Sequence, residues 1–372
     1  MHALLDRALA AARQLRASDI HLKAGLAPVL RIDGELRSLS DVPPLSREFL
    51  QTLALSLLND RRREILDRTG DVAMSLTAPD GSRQRLQMSQ YRGGTAIAVR
   101  LVPAQVPSLD KLGLPEAVGG LVAPGEGLVV VAGAGGAGKT TTLAALANEI
   151  NGDRACHIVS IEDPVEIVVP DRRSVVVQRE LGLDAPSLGA ALRAALRQDV
   201  DVLIVSDLRD AESVELATFA AETGRLVLVG VGARDATSAV DRLAELGGAE
   251  RPGLRARIAQ TLRGVVAQRL VRRADGRGRV AAVELLLCDD ELRSALAASN
   301  LPAARAALTA GRPDGSQSFD AALVALARGK RISPKDAVAQ ASDGATVRAA
   351  VDAEAAGDES TQAPVEDDAR PD

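Results

Sequence analysis

The sequence predicts an α/β protein: a small α+β unit at the N-terminus and a larger parallel α/β unit after it. Three observations carry this reading. Leu128 to Val131 is an apolar, β-branched run that reads as a buried strand, and it passes through a glycine loop into a helix with apolar spacing at Leu143, Ala147 and Ile150. Downstream, apolar runs alternate with helical spacing, as a parallel sheet requires. Upstream, short strand candidates are joined by turn residues instead.

In chain order, residues 2–16 place Leu4, Leu5, Ala8, Leu9, Ala12 and Leu15 on one helical stripe. Residues 18–22 and 28–32 read as strands, the second turning at Asp33-Gly34 into 35–39. Helical spacing returns from Ser46 to about Leu66. Strands at 71–77, 83–90 and 95–102 follow, the first two joined at Pro79-Asp80-Gly81. Residues 1–102 are thus expected to form the first domain, and 103–115, with three prolines, a linker. The second domain, 116–342, opens on the glycine loop. A strand at 156–161 runs into Glu162-Asp163-Pro164-Val165-Glu166, and a helix spans Ser187 to Arg197. The apolar run 202–205 ends in Ser206-Asp207, Asp210 caps a helix to about Thr223, and 226–231 is a strand. Residues 265–271 and 280–287 make a hairpin around Ala274-Asp275-Gly276, and helices continue to about 341. Residues 343–372 lack periodicity and end in acids, and are expected to be a disordered acidic tail.

Composition narrows the function. Of 372 residues, 46% are hydrophobic but 1% aromatic, so the core must be aliphatic and base stacking on aromatic rings is not available. The net charge of −5 gives no global attraction to nucleic acid or anionic lipid. Cys156 and Cys288 lie far apart in apolar stretches and form no zinc-binding pair. No apolar run is long enough to span a bilayer and no signal-peptide pattern is visible, so a cytoplasmic protein is the expectation.

Gly133-Ala134-Gly135-Gly136-Ala137-Gly138-Lys139-Thr140, followed by Thr141, fits the phosphate-binding P-loop. Glycines let consecutive backbone N–H groups turn toward phosphate oxygens, and the helix beginning near Lys139 adds the positive end of its dipole. Lys139 is the candidate for neutralising the β- and γ-phosphates of ATP, and the Thr140 hydroxyl for holding Mg²⁺.

Several stretches together resemble the secretion ATPase superfamily, and within it the type IV pilus retraction ATPases (the PilT/PilU group). They are Ala17-Ser18-Asp19-Ile20-His21-Leu22, Arg31-Ile32-Asp33-Gly34, the P-loop and Ile161-Glu162-Asp163-Pro164-Val165-Glu166. To these are added residues 191–201, Leu208-Arg209-Asp210 and Ala221-Glu222-Thr223-Gly224. The resemblance covers roughly residues 1 to 341. It implies a PAS-like N-terminal domain, a RecA-like ATPase domain with C-terminal helices, nucleotide in the cleft between them, and a hexamer at the cytoplasmic face of the inner membrane. It further implies a platform protein as partner and pilus withdrawal as the work done. Without a tetracysteine zinc site or a long N-terminal extension in the sequence, the chain is expected to fall outside the extension and type II secretion relatives.

The resemblance assigns Glu162 to the attacking water. Its Walker B position departs: Ser206-Asp207 stands where the family has Gly-Glu. Asp207 keeps the charge on a shorter side chain and is expected to hold Mg²⁺ through a water. The family's two histidines align with Arg225 and Gly232. The arginine–any–Asn/Ser pattern appears as Gln87-Met88-Ser89, which leaves Arg92 and Arg100 as candidates for charge supplied across a subunit interface. Three departures at three elements predict attenuated hydrolysis with ATP binding retained. An alternative is a poorly hydrolysing paralogue that regulates or co-assembles with an active ring.

Overall fold

The computed structural model of the chain describes residues 3–360, except 16, 33–34, 78–82, 93, 102–105 and 249–252. The turns expected at Asp33-Gly34 and Pro79-Asp80-Gly81, the junction at 102–103 and residues 361–372 lie outside the described residues.

The first layer is an antiparallel sheet. Helix α1 (Ala3–Gln14) precedes β1 (Asp19–Leu22), β2 (Val29–Ile32) and β3 (Glu35–Ser38); α2 (Arg47–Leu57) and α3 (Asp60–Thr69) precede β4 (Asp71–Thr77), β5 (Arg83–Tyr91) and β6 (Gly94–Leu101). The sheet order is β3-β2-β1-β6-β5-β4. The stripe predicted for α1 is its buried face: Leu5, Ala8, Leu9 and Ala12 pack with Leu50, Leu53, Leu86 and Val99. The single helix expected from Ser46 to Leu66 is two. Asn59 ends the first by capping the second, its side chain accepting from Arg62 N at 2.9 Å.

The second layer is a seven-stranded sheet, reached through α4 (Leu109–Leu112) and α5 (Ala117–Gly120). In chain order it contains β7 (Gly127–Ala132), α6 (Lys139–Asp153), β8 (His157–Glu162), β9 (Val175–Glu180), α7 (Leu188–Ala195), β10 (Val202–Val205), α8 (Ala211–Glu222) and β11 (Leu226–Val231). Helices α9 (Ala236–Gly247) and α10 (Leu254–Thr261) lead to β12 (Leu262–Arg272) and β13 (Arg279–Leu287). The order is β13-β12-β7-β11-β10-β8-β9, parallel throughout except for the β12–β13 hairpin. Strands β7, β10 and β11 are buried along their whole length, which explains their unbroken aliphatic runs. One face packs Val129, Val131, Leu143, Leu146 and Ile150; the other packs Val130, Val205, Val229, Ala191 and Val240. The edge strand β9 and helices α9 and α10 had no counterpart in the sequence reading.

Helices α11 (Asp290–Ala297), α12 (Leu301–Thr309), α13 (Phe319–Arg328) and α14 (Pro334–Gln340) close the second core. The expectation of disorder from residue 343 is corrected: α15 (Gly344–Ser360) follows, with Val347 fully buried and Val351 packed beside it. Asp343 caps its start, accepting from Thr346 N at 3.1 Å. Two apolar residues four apart in an Ala-rich run suffice for docking but fall short of a recognisable stripe.

Candidate nucleotide site

The site is built at the C-terminal ends of the parallel strands, where such sheets bind ligands. Strand β7 delivers the chain to Gly133, whose φ of 158°, with 75° at Gly136 and 96° at Gly138, curls the loop before α6 begins at Lys139. A Cβ at Gly133 would lie 2.7 Å from the Ala137 Cβ, and one at Gly138 2.8 Å from Gln268 Nε2. The two ends of the loop, Gly133 and Gly138, are therefore closed to any larger residue. Lys139 Nζ donates to Gly133 O at 2.8 Å and to Ala134 O at 3.2 Å, folding back over the loop. Burial lowers the Lys139 pKa, and the charge of Asp207 opposes that shift. The donor set and the curl of this loop fit a polyphosphate.

Gln268, on β12, is a site residue the sequence reading missed. Its Nε2 donates to Ala137 O at 2.7 Å and its Oε1 accepts from Thr142 Oγ1 at 2.9 Å, so it pins loop and helix together. Only the pairing of β12 with β7 brings it to Ala137, 131 residues away in sequence; no local pattern marks it.

The two acids stand at the ends of β8 and β10, which are adjacent and in register. Glu162 is buried, and Oε1 accepts from Ser160 Oγ and from Gln178 Nε2, each at 2.8 Å. Burial pushes its pKa up to about 7, against those hydrogen bonds. Glu162 borders a small cavity that Thr140 and Ser206 also line. Asp207 is held from below: Arg209 Nε donates to its Oδ2 at 2.9 Å, and Arg209 Nη1 to Asp163 Oδ2 at 3.1 Å. Gly230 on β11 lets the Ser206 backbone that precedes Asp207 pack close, since a Cβ there would sit 2.0 Å from Ser206 O.

The N-terminal sheet meets the acidic box through β5. Arg85 Nη1 lies 3.1 Å from Glu166 Oε1, and Arg83 Nε donates to Val165 O at 3.2 Å. These arginines stand two and four residues before Gln87 on one face of the strand, and sequence reasoning passed over both. Arg100 lies directly across from Arg85 on β6, and Asp19 across from Arg100 on β1. Arg100 is thus in the row that faces the acidic box, engaged with Asp19 at 2.9 Å and largely exposed. Arg92 is not near it in the same chain. It sits exposed in the β5–β6 turn, past the end of β5 at Tyr91, which is itself about 20 Å from Arg85 at strand rise. Arg225 precedes β11 and Gly232 follows it, so Arg225 lies at the opposite end of the strand from the P-loop. It donates to Thr223 Oγ1 and cannot replace a charge near Gly232, where a Cβ would meet nothing within 4 Å.

The sequence profile described as "Type II/IV secretion system protein" matches residues 1–320. The chain belongs to that family. It is 33% identical over 322 residues to the type IV pilus retractation ATPase PilT of Pseudomonas aeruginosa, covering 86% of this chain and 93% of that one. It is 32% identical over 325 residues to the type IV pilus ATPase PilU of the same organism, covering 87% and 85%. A crystal structure of the pilus retraction motor PilT with bound ADP superposes with a TM-score of 0.82 at 36% identity, covering 92% of this chain and 98% of that one. The resemblance read from the motifs and the α/β class thus agree with the family's members. Among the described residues, no helix of this secretion-family chain is long and apolar enough to cross a membrane.

Proposed function

We propose that the chain is an ATP-binding motor protein of the pilus-retraction type, coupling ATP hydrolysis to pilus disassembly and twitching motility at an attenuated rate. The observation that carries this reading is that the P-loop, Lys139, Glu162 and Asp207 lie at the C-terminal ends of β7, β8 and β10 in one parallel sheet, in a relative of PilT and PilU. The loop amides and Lys139 hold the phosphates. Thr140 and, through a water, Asp207 hold Mg²⁺, which when bound offsets phosphate charge. Glu162, with a pKa raised to about 7, is suited to orient and deprotonate the attacking water near neutral pH. Thr141 lies in the first turn of α6, directly after Thr140.

Arg92 and Arg100 are exposed on the N-terminal sheet and are the candidates for completing a neighbouring copy's site in a hexamer. The ring would work against an inner-membrane platform protein from the cytoplasmic side. Asp207 is one methylene shorter than the family's glutamate and Gly232 has no side chain. Both departures lie near the developing charge, where one lost polar group costs roughly 10²–10³ in rate. These same departures favour the second reading, a nucleotide-binding, poorly hydrolysing copy that regulates or joins an active ring.

Titration of the full chain with a fluorescent ATP analogue tests the reading. Lys139→Ala is expected to abolish affinity at an intact fold, because Nζ faces the loop rather than the core. Unchanged affinity would refute the assignment.

A further inference from the structure

The roles above leave β9 unused, although it carries two of the most constrained polar side chains in the molecule. Gln178 and Glu180 are two residues apart and so share one face of the strand. Gln178 uses its whole amide. Its Nε2 donates to Glu162 Oε1 and to Ile167 O, each at 2.8 Å, while its Oε1 accepts from Val169 N at 2.8 Å. A flipped amide would set oxygen against oxygen at both donor contacts, so its orientation is fixed. Glu180 is 1% exposed. It pairs with Arg62 of α3 and, at 2.8 Å, with Arg83 of β5; Ser75 of β4 also donates to it, and it accepts from Val165 N at 3.2 Å. Three elements of the N-terminal sheet layer therefore end on one carboxylate, and that carboxylate grips the acidic box between Glu162 and Glu166.

We infer that Gln178 is the positioning residue of Glu162, and that Glu180 makes this positioning depend on the N-terminal sheet being docked through Arg62 and Arg83. The inference deepens the proposed function and rests on its reading of Glu162. A buried carboxylate this strongly paired is costly to leave alone, so loss of the arginines must move Glu180 and with it Val165 and the box. The N-terminal layer thereby gates hydrolysis within its own chain, by displacing the carboxylate that faces the cavity shared with Thr140.

The test uses the full chain with Gln178→Ala, Glu180→Gln and both together, reading single-turnover ATP hydrolysis, nucleotide affinity and amide exchange. Each single variant is expected to slow hydrolysis roughly tenfold or more while affinity stays within about twofold, because only the water's partner is displaced. The double variant falls no further than the slower single, since both act through Glu162. Val169 N exchanges faster in Gln178→Ala, and both Val165 and Val169 exchange faster in Glu180→Gln. Should Glu180→Gln not fold, Arg83→Gln breaks the same link from the other side and carries the same expectations. Unchanged hydrolysis in a single variant, or losses that multiply in the double, would overturn the inference alone. Failure of the wild type to bind nucleotide would instead overturn the function beneath it.

Discussion

Arg209 ties Asp207 to Asp163, reaching one carboxylate with Nε at 2.9 Å and the other with Nη1 at 3.1 Å. The two acids stand at the ends of adjacent strands, so one side chain fixes the spacing between the Walker B end and the acidic box. Hydrogen bonding to Asp207 raises the Arg209 pKa, and the group stays charged at any working pH.

Because this guanidinium is more than half exposed, it should matter to geometry more than to stability. Arg209→Ala is expected to shift unfolding free energy by less than about 1 kcal/mol yet slow turnover roughly tenfold or more by loosening Asp207. Thermal melts and ATP hydrolysis on the same sample check it. A large stability loss with unchanged turnover would show that Arg209 is structural.

The Glu162 carboxyl gives a pH signature of defined sign. Its folded pKa of about 7 lies above the ordinary 4.5, with burial the leading cause and Glu166 adding like charge. Between those values the unfolded chain has lost the proton and the folded chain keeps it, so stability from this group is full below 4.5 and declines as pH rises to about 7. Under the proposed role of Glu162 as the base, hydrolysis should run the other way, since only the ionised form accepts a proton. Turnover should climb from about pH 6 to about pH 8 and then level. Glu162→Gln should remove both slopes, as read by denaturant melts and a pH–rate profile.

Gln268→Leu tests the clamp beneath the P-loop. The substitution leaves Ala137 O and the Thr142 hydroxyl without their partner in a buried setting. Each unsatisfied group costs about 1–3 kcal/mol, so a clear fall in melting temperature should come with weaker nucleotide binding. Normal affinity in a destabilised variant would separate the clamp from the cradle.

Much of this architecture was legible because its signals are local. The run 128–131, the glycine loop and Lys139 announce a strand, a turn and a helix start within fifteen residues. The full burial of β7, β10 and β11 matches their unbroken aliphatic runs. What was missed depends on distance in sequence. Gln268 reaches the loop only through β12 pairing, and Arg83 and Arg85 reach the acidic box only once two sheets dock. Strand β9 turns Val175 and Val177 outward and sets Val176, Gln178 and Glu180 on its other face, a pattern whose purpose appears only beside Glu162. Arg225 and Gly232 look like partners in sequence, but the length of β11 separates them.

The most direct test of the central claim, a nucleotide site whose hydrolysis is held down by Asp207 and Gly232, is steady-state ATP turnover of the wild type beside Asp207→Glu/Gly232→His. A Cβ at Gly232 would meet nothing within 4 Å, so a side chain there starts without a clash. Wild-type turnover is expected at least about a hundredfold below that of a motif-complete relative, with near-normal ATP affinity and a clear gain in the double variant that Lys139→Ala abolishes. A wild type as fast as that relative, or no gain in a folded, nucleotide-binding double variant, would contradict it and show that other residues position the water.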